Sequence, residues 1–166
     1  MAGGAPHPER SETIVSRSED ETRQAGRRLA VRLKAGDVIV LTGPLGAGKT
    51  VLVRGLAEGL GIDTRQVHSP SYTMVSEYGP SPSGLLLVHA DLYRIDVTGE
   101  IEELGLGDSL SGPCVLAVEW GEKLPARLRA GAWRVTLDPV DDAAAAAESR
   151  SIVIEPPGAQ VSSPSQ

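Results

Sequence analysis

The chain has 166 residues and a formal charge of -6. That length suits one domain around one core and leaves no room for a second catalytic domain. The acidic balance argues against broad capture of nucleic acid, which needs Lys and Arg to neutralise phosphates. With one cysteine, Cys114, an internal disulfide and a cysteine-based zinc site are excluded, and the aliphatic run around that residue marks it as an inert core thiol.

Residues 1–13 are polar and rich in Gly and Pro, as is the tail 156–166. Both are expected to be disordered, leaving residues 14–155 as the folded domain. Ser18 with Glu21 forms a capping-box pattern, and Ala25, Leu29 and Leu33 recur at helical spacing, so a first helix is predicted from about Glu19 to Lys34. "VIVL" (Val38 to Leu41) is short and β-branched, the pattern of a fully buried strand. It runs into "TGPLGAGKT", after which "TVLVRGLAEGLG" is helical and ends on Gly61 as its cap.

"YTMVSEY" and "LLLVHAD" read as strands of a hairpin around "GPSPSG", and "GEIEELG" as a short acidic helix. "CVLAVE" is another buried strand, and "WRVTLDPV" with "RSIVIEP" a closing antiparallel pair joined by the loop "DDAAAAAES". The order of elements predicts one α/β domain with a mixed, mostly parallel sheet flanked by helices. No apolar run approaches a membrane span and no secretory signal opens the chain, so a soluble cytoplasmic protein is expected.

Gly43, Gly48, Lys49 and Thr50 satisfy the pattern G-x-x-x-x-G-K-[ST]. Glycines at 43, 46 and 48 permit backbone angles and close approaches that a Cβ would block, so the N–H groups of a loop that also holds Leu45 and Ala47 can converge on phosphate oxygens. Lys49 supplies a mobile ammonium for the β and γ phosphates, and the Thr50 hydroxyl can enter the shell of Mg²⁺. The match lies after a buried strand and opens a helix, the context this chemistry requires.

Mg²⁺ needs one or two carboxylates beside a hydroxyl and the nucleotide phosphates. Asp91 and Glu119 each end a predicted strand, where sites lie if those strands run parallel to the first. Each is a candidate ligand, and each is also the sort of acid that ends a strand in water. His89 shares a strand face with Asp91 and is read either as orienting it or as a satisfied core histidine. The chain has no Asn, which excludes the guanine-specifying N-K-x-D pattern and the catalytic-loop Asn of protein kinases.

With "GPLGAGKT", "SPSYTMVSEY", "HADLYRID", "EELGL" and "VEWGEKLP" in this order, the chain resembles the TsaE (YjeE) family of bacterial P-loop ATPases that serve threonylcarbamoyladenosine modification of tRNA. The likeness covers about Ser18 to Pro125. It implies that Thr50, Asp91 and Glu119 gather around Mg·ATP, with Lys49, Asp91 and Glu119 as catalytic residues. It further implies that Ser69, Pro70, Ser71 and Tyr72 form a switch-like loop near the γ-phosphate, and that Trp120 lies beside the nucleotide. Ser71 stands where the family usually has Thr, which keeps the hydroxyl and loses the β-branch. The resemblance also implies slow ATP hydrolysis, stimulated by docking on the TsaD and TsaB transferase assembly, with tRNA met within that complex.

Two further readings stay open. A small-molecule P-loop kinase shares the loop and the size, and a nucleotide-gated binding module would hydrolyse ATP only incidentally. The base that orients the attacking water is Asp91, Glu119 or a partner residue. The run 123–137 holds Lys123, Arg127, Arg129 and Arg134 with no acid, and the first helix holds Arg23, Arg27, Arg28 and Arg32. Each reads as a contact surface for tRNA or partner, or as a solvated basic face.

Overall fold

The computed structural model describes residues 10–70, 74–141 and 148–159. A seven-stranded sheet is built from β1 (Glu12–Ser16), β2 (Val38–Thr42), β3 (Val75–Tyr78), β4 (Leu86–Asp91), β5 (Cys114–Glu119), β6 (Trp133–Pro139) and β7 (Arg150–Glu155). Its order is β1-β7-β6-β2-β5-β4-β3. The four central strands, β6, β2, β5 and β4, are parallel, whereas β3 pairs antiparallel with β4, β7 with β6, and β1 with β7.

Burial on both faces explains the unbroken apolar runs of the central strands. On β2, Ile39 and Leu41 pack with Val115, Ala117, Val135 and Leu137 against Leu29, Leu52 and Leu56 of the helices on one side. Val38 and Val40 turn the other way, to Leu116, Val118, Ile101, Leu106 and Leu124. All six residues of β5 are buried, including Glu119.

The helices of the first face are α1 (Glu19–Ala30) and α2 (Lys49–Leu60). Ser18 caps α1 by accepting from the Glu21 N–H at 3.1 Å, and Glu21 reaches back to the Arg17 N–H at 2.6 Å. The helix ends at Ala30, short of the predicted Lys34. Beyond Ala30 the chain tightens, with the Arg32 and Leu33 N–H groups donating to the Leu29 and Ala30 carbonyls at 2.9 and 3.2 Å, and Asp37 takes the Lys34 N–H at 2.9 Å. Gly61 caps α2 with φ of 78°, as predicted. The two helices touch backbone to backbone at Gly55, where an added Cβ would lie 2.1 Å from the Arg23 carbonyl oxygen.

The other face carries the short helices α3 (Thr98–Glu103), α4 (Leu106–Ser109) and α5 (Ala126–Arg129). β1 begins at Glu12, so Glu12 and Thr13, assigned from sequence to the N-terminal tail, are part of the sheet. At the other end, the Ala159 carbonyl accepts from Arg134 at 3.3 Å, which ties the start of the C-terminal tail to β6. Residues 1–9 and 160–166 of the expected tails, most of "DDAAAAAES" and the first residues of the predicted strand "YTMVSEY" lie outside the described residues. Among the described residues no helix is long and apolar enough to cross a membrane.

Candidate functional site

The loop between β2 and α2 borders a cleft of about 450 Å³ whose walls include Lys49, Thr50, Asp91, Glu119, Trp120 and Arg150. Leu45, Gly46, Ala47 and Gly48 line the same cleft. Parallel pairing places the acids: Glu119 is in register with Leu41 of β2 and with Asp91 of β4, so both carboxylates stand at the carboxyl ends of neighbouring strands. Gly43 has φ of 145°, and an added Cβ would lie 2.3 Å from the Leu137 carbonyl oxygen. No side chain fits there without moving the backbone of β6.

Thr50 Oγ1 donates to Glu119 Oε1 at 2.7 Å. The fully buried His89 contacts the same oxygen through Nε2 at 2.9 Å. Burial, the largest influence, raises the Glu119 carboxyl, but His89, Thr50 and Lys49 outweigh it and hold the group below its ordinary value. His89 therefore serves Glu119 rather than Asp91, the partner considered from sequence. It faces Ala117 across the β4–β5 pairing, and that small side chain leaves the ring room to reach Glu119 two residues along.

Asp91 is held otherwise. Its Oδ1 accepts from the Tyr93 N–H at 2.9 Å and its Oδ2 from Ser69 Oγ at 3.1 Å. Ser69 thus stands at the cleft, Pro70 beside it is buried, and Ser71 and Tyr72 lie outside the described residues. The donor set of one hydroxyl and two carboxylates is hard oxygen, which suits Mg²⁺. Among the described residues no three His, Cys, Asp or Glu side chains gather as a metal cage. An ion here would draw its remaining ligands from phosphate and water, as Mg²⁺ ordinarily does.

Lys49 Nζ donates to the carbonyls of Gly43 and, at 3.2 Å, Pro44, and it lies 4.2 Å from the centroid of the Trp120 ring. Burial lowers its pKa, partly offset by the charges of Glu119, Asp91 and Glu122. Trp120 has φ of 58° and ψ of 36°, a left-handed conformation that a bulky residue adopts at a cost of about 1–3 kcal/mol. That turn brings its ring over Lys49 and within 5.2 Å of Tyr93.

At this end of the sheet one residue carried no sequence signal, and another was read only as part of the basic run 123–137. Arg150, at the start of β7, donates to the Ala47 carbonyl at 3.0 Å. Lys123 donates to the carbonyls of Leu92, Tyr93 and Ile95 at 2.8–3.0 Å and so fastens the loop that follows Asp91. Much of the basic surface expected from sequence is spoken for within the chain. Arg127 pairs with Glu102, Arg134 with Glu155, and Arg23 and Arg27 with Glu58. Arg32 lies over the Trp133 ring.

Parallel strands, a glycine loop opening a helix, and acids on the adjacent strand ends define a P-loop NTPase-like α/β domain. The family model "Threonylcarbamoyl adenosine biosynthesis protein TsaE" matches residues 16–150. The chain is 44% identical over 117 residues to the "tRNA threonylcarbamoyladenosine biosynthesis protein TsaE" of Streptomyces coelicolor, covering 70% of this chain and 78% of that one. A protein of the same description from Bacillus subtilis is 44% identical over 110 residues, 66% of each chain. The crystal structure of Bacillus subtilis YdiB superposes with a TM-score of 0.69 at 31% identity, covering 90% of this chain and 87% of that one. The chain belongs to the TsaE family.

Proposed function

We propose that the chain binds ATP with Mg²⁺ and hydrolyses it as an accessory subunit of threonylcarbamoyladenosine biosynthesis on tRNA. The observation that carries the proposal is the 2.7 Å hydrogen bond from Thr50, the second residue of α2, to Glu119, at the end of β5. It joins a phosphate-type loop to a strand-end carboxylate within one cleft, the pairing a phosphoryl-transfer site needs.

The roles follow from position. Loop N–H groups bind the phosphates, and Lys49 leaves the Gly43 and Pro44 carbonyls to meet the β and γ oxygens. Thr50 and Glu119, with Asp91 beside them, hold the metal, which when bound neutralises charge on the phosphates. Asp91 or Glu119 orients the attacking water unless a partner residue does so. Trp120 covers Lys49 and borders the nucleotide. Ser69 to Tyr72 respond to the γ-phosphate, since Ser69 already bonds Asp91.

TsaD-type and TsaB-type proteins are the proposed docking partners, meeting tRNA for this chain. The acidic balance and the internally paired arginines support indirect rather than direct contact with tRNA. The site of action is the cytoplasm.

The test is the ATP turnover rate of the purified chain, alone and with the two partner proteins and tRNA. Slow turnover that rises on mixing is expected, with hydrolysis lost and nucleotide binding largely kept in Glu119→Gln. Unchanged turnover in the complete mixture would defeat the accessory role, and a phosphorylated metabolite in its place would select the small-molecule kinase reading.

A further inference from the structure

Arg150 enters the glycine loop from a strand 103 residues further along the chain. It is 9% exposed, and each guanidinium nitrogen has an acceptor. Nη1 donates to the Ala47 carbonyl at 3.0 Å, while Nε and Nη2 donate to the Glu148 carbonyl at 3.2 and 3.1 Å. The fork is therefore fixed at both edges, braced on the turn just before its own strand and aimed at a single loop carbonyl. Gly48 gives it room: a Cβ there would lie 2.1 Å from Nη1, so the guanidinium fills the space a side chain would occupy.

A peptide unit is planar and trans, so the Ala47 C=O and the Gly48 N–H point in opposite directions. Fixing the carbonyl fixes the N–H. With φ of 103° at Gly48, the unit could otherwise rotate at little steric cost, since glycine accepts either orientation. An anion nest depends on its N–H groups sharing one direction.

We propose that Arg150 is a positioning residue that locks the Ala47–Gly48 peptide, keeping the carbonyl turned outward and the Gly48 N–H turned toward the phosphate. The proposal rests on the phosphate-binding reading of the cleft and adds to it the device that holds the nest ready before anything binds. Arg150 touches the loop rather than the reacting atoms. Its effect falls on polyphosphate affinity whatever base is attached, and its guanidinium shape matters more than its charge.

The experiment measures binding of inorganic tripolyphosphate, ADP and ATP by calorimetry in the full chain, in Arg150→Met and in Arg150→Lys, with the Gly48 amide resonance and its hydrogen exchange followed by NMR. Arg150→Met is expected to weaken all three ligands by a similar factor of about 10–100, the scale of one lost charge-assisted hydrogen bond. Its Gly48 amide should shift and exchange faster without ligand. Arg150→Lys should remain closer to Arg150→Met than to the unaltered chain, because an ammonium cannot span the Ala47 and Glu148 carbonyls in one plane.

Full recovery by lysine would overturn the positioning role in favour of charge alone. Unchanged tripolyphosphate binding and an unmoved Gly48 resonance in a folded Arg150→Met would overturn it outright, and if that variant does not fold, the same result in Arg150→Lys decides. Failure of the unaltered chain to bind tripolyphosphate or ATP would instead overturn the phosphate-site reading beneath it.

Discussion

Replacing Gly55 by alanine sets two effects of opposite sign against each other. Alanine is the better helix former by about 1 kcal/mol in a helix interior, and α2 would gain that. Yet the new Cβ would lie 2.1 Å from the Arg23 carbonyl oxygen and 2.9 Å from its Cα, both backbone atoms of α1. Ordinary contact begins near 3.4 Å, so the helices must part by about an ångström, and close-packed interiors resist such shifts. Overpacking of this kind costs about 1–3 kcal/mol, and the separation also loosens Leu29 from Leu52 and Leu56 across the same interface. Because backbone atoms stand on both sides, the cost falls at the upper end of that range, about 2–3 kcal/mol, so the clash wins and Gly55→Ala should lose about 1–2 kcal/mol net. The control is Gly99 in α3, where an added Cβ meets nothing within 4 Å. Gly99→Ala should be neutral or gain up to about 1 kcal/mol. Urea unfolding followed by circular dichroism, with equal slopes required for comparison, gives both values. A Gly55→Ala chain as stable as the original would refute the reasoning, because the close approach would then cost nothing.

The remaining expectations concern charge. Replacing His89 by Leu removes a partner from the buried Glu119 carboxylate and should cost about 1.5–3 kcal/mol, with His89→Gln recovering part because its amide can still donate; equal stability of the Leu variant in urea would show that the contact is idle. Glu58 is raised by burial, its largest single influence, but the Arg23 and Arg27 hydrogen bonds together outweigh this and hold it below its ordinary value. Its contribution is therefore complete above the unfolded-state pKa and disappears as pH falls through the lower native one. Because both arginines are more than a third exposed, Glu58→Gln should cost only about 0.5–1 kcal/mol at neutral pH. That difference should close in acid, and one that widened would reverse the sign.

What could be read from the sequence was what repeats locally. "CVLAVE" became β5 at the same residues, Cys114–Glu119, because a doubly buried strand writes its burial into every position. The glycine loop fell between β2 and α2 for a similar reason: strand, turn and helix follow one another directly. What stayed hidden depends on register between distant strands. His89 was placed on the correct face, but its partner across the sheet is set by the β4–β5 alignment. Arg150 looks like any arginine opening a strand until β7 is laid beside β6 and its fork meets Ala47. β1 was missed because one side of an edge strand is solvated, and "ETIVS" is more than half exposed along its length. Counting arginines on α1 also overstated its free charge, since Arg23 and Arg27 share Glu58 on the neighbouring helix.

The last strand of the domain lies between its first strand and the centre of the sheet. During synthesis β1 leaves the ribosome before the other strands but has no strand to pair with until β7 exists, because every ladder partner of Glu12 to Ser16 lies between Arg150 and Ile154. A chain arrested before that point can stack β6, β2, β5 and β4 and carry the whole glycine loop, yet it presents the unpaired edge of β6 to other chains. Completion of the sheet is thus tied to the synthesis of β7. Fragments that stop before residue 150 should be the form of this protein most prone to aggregate.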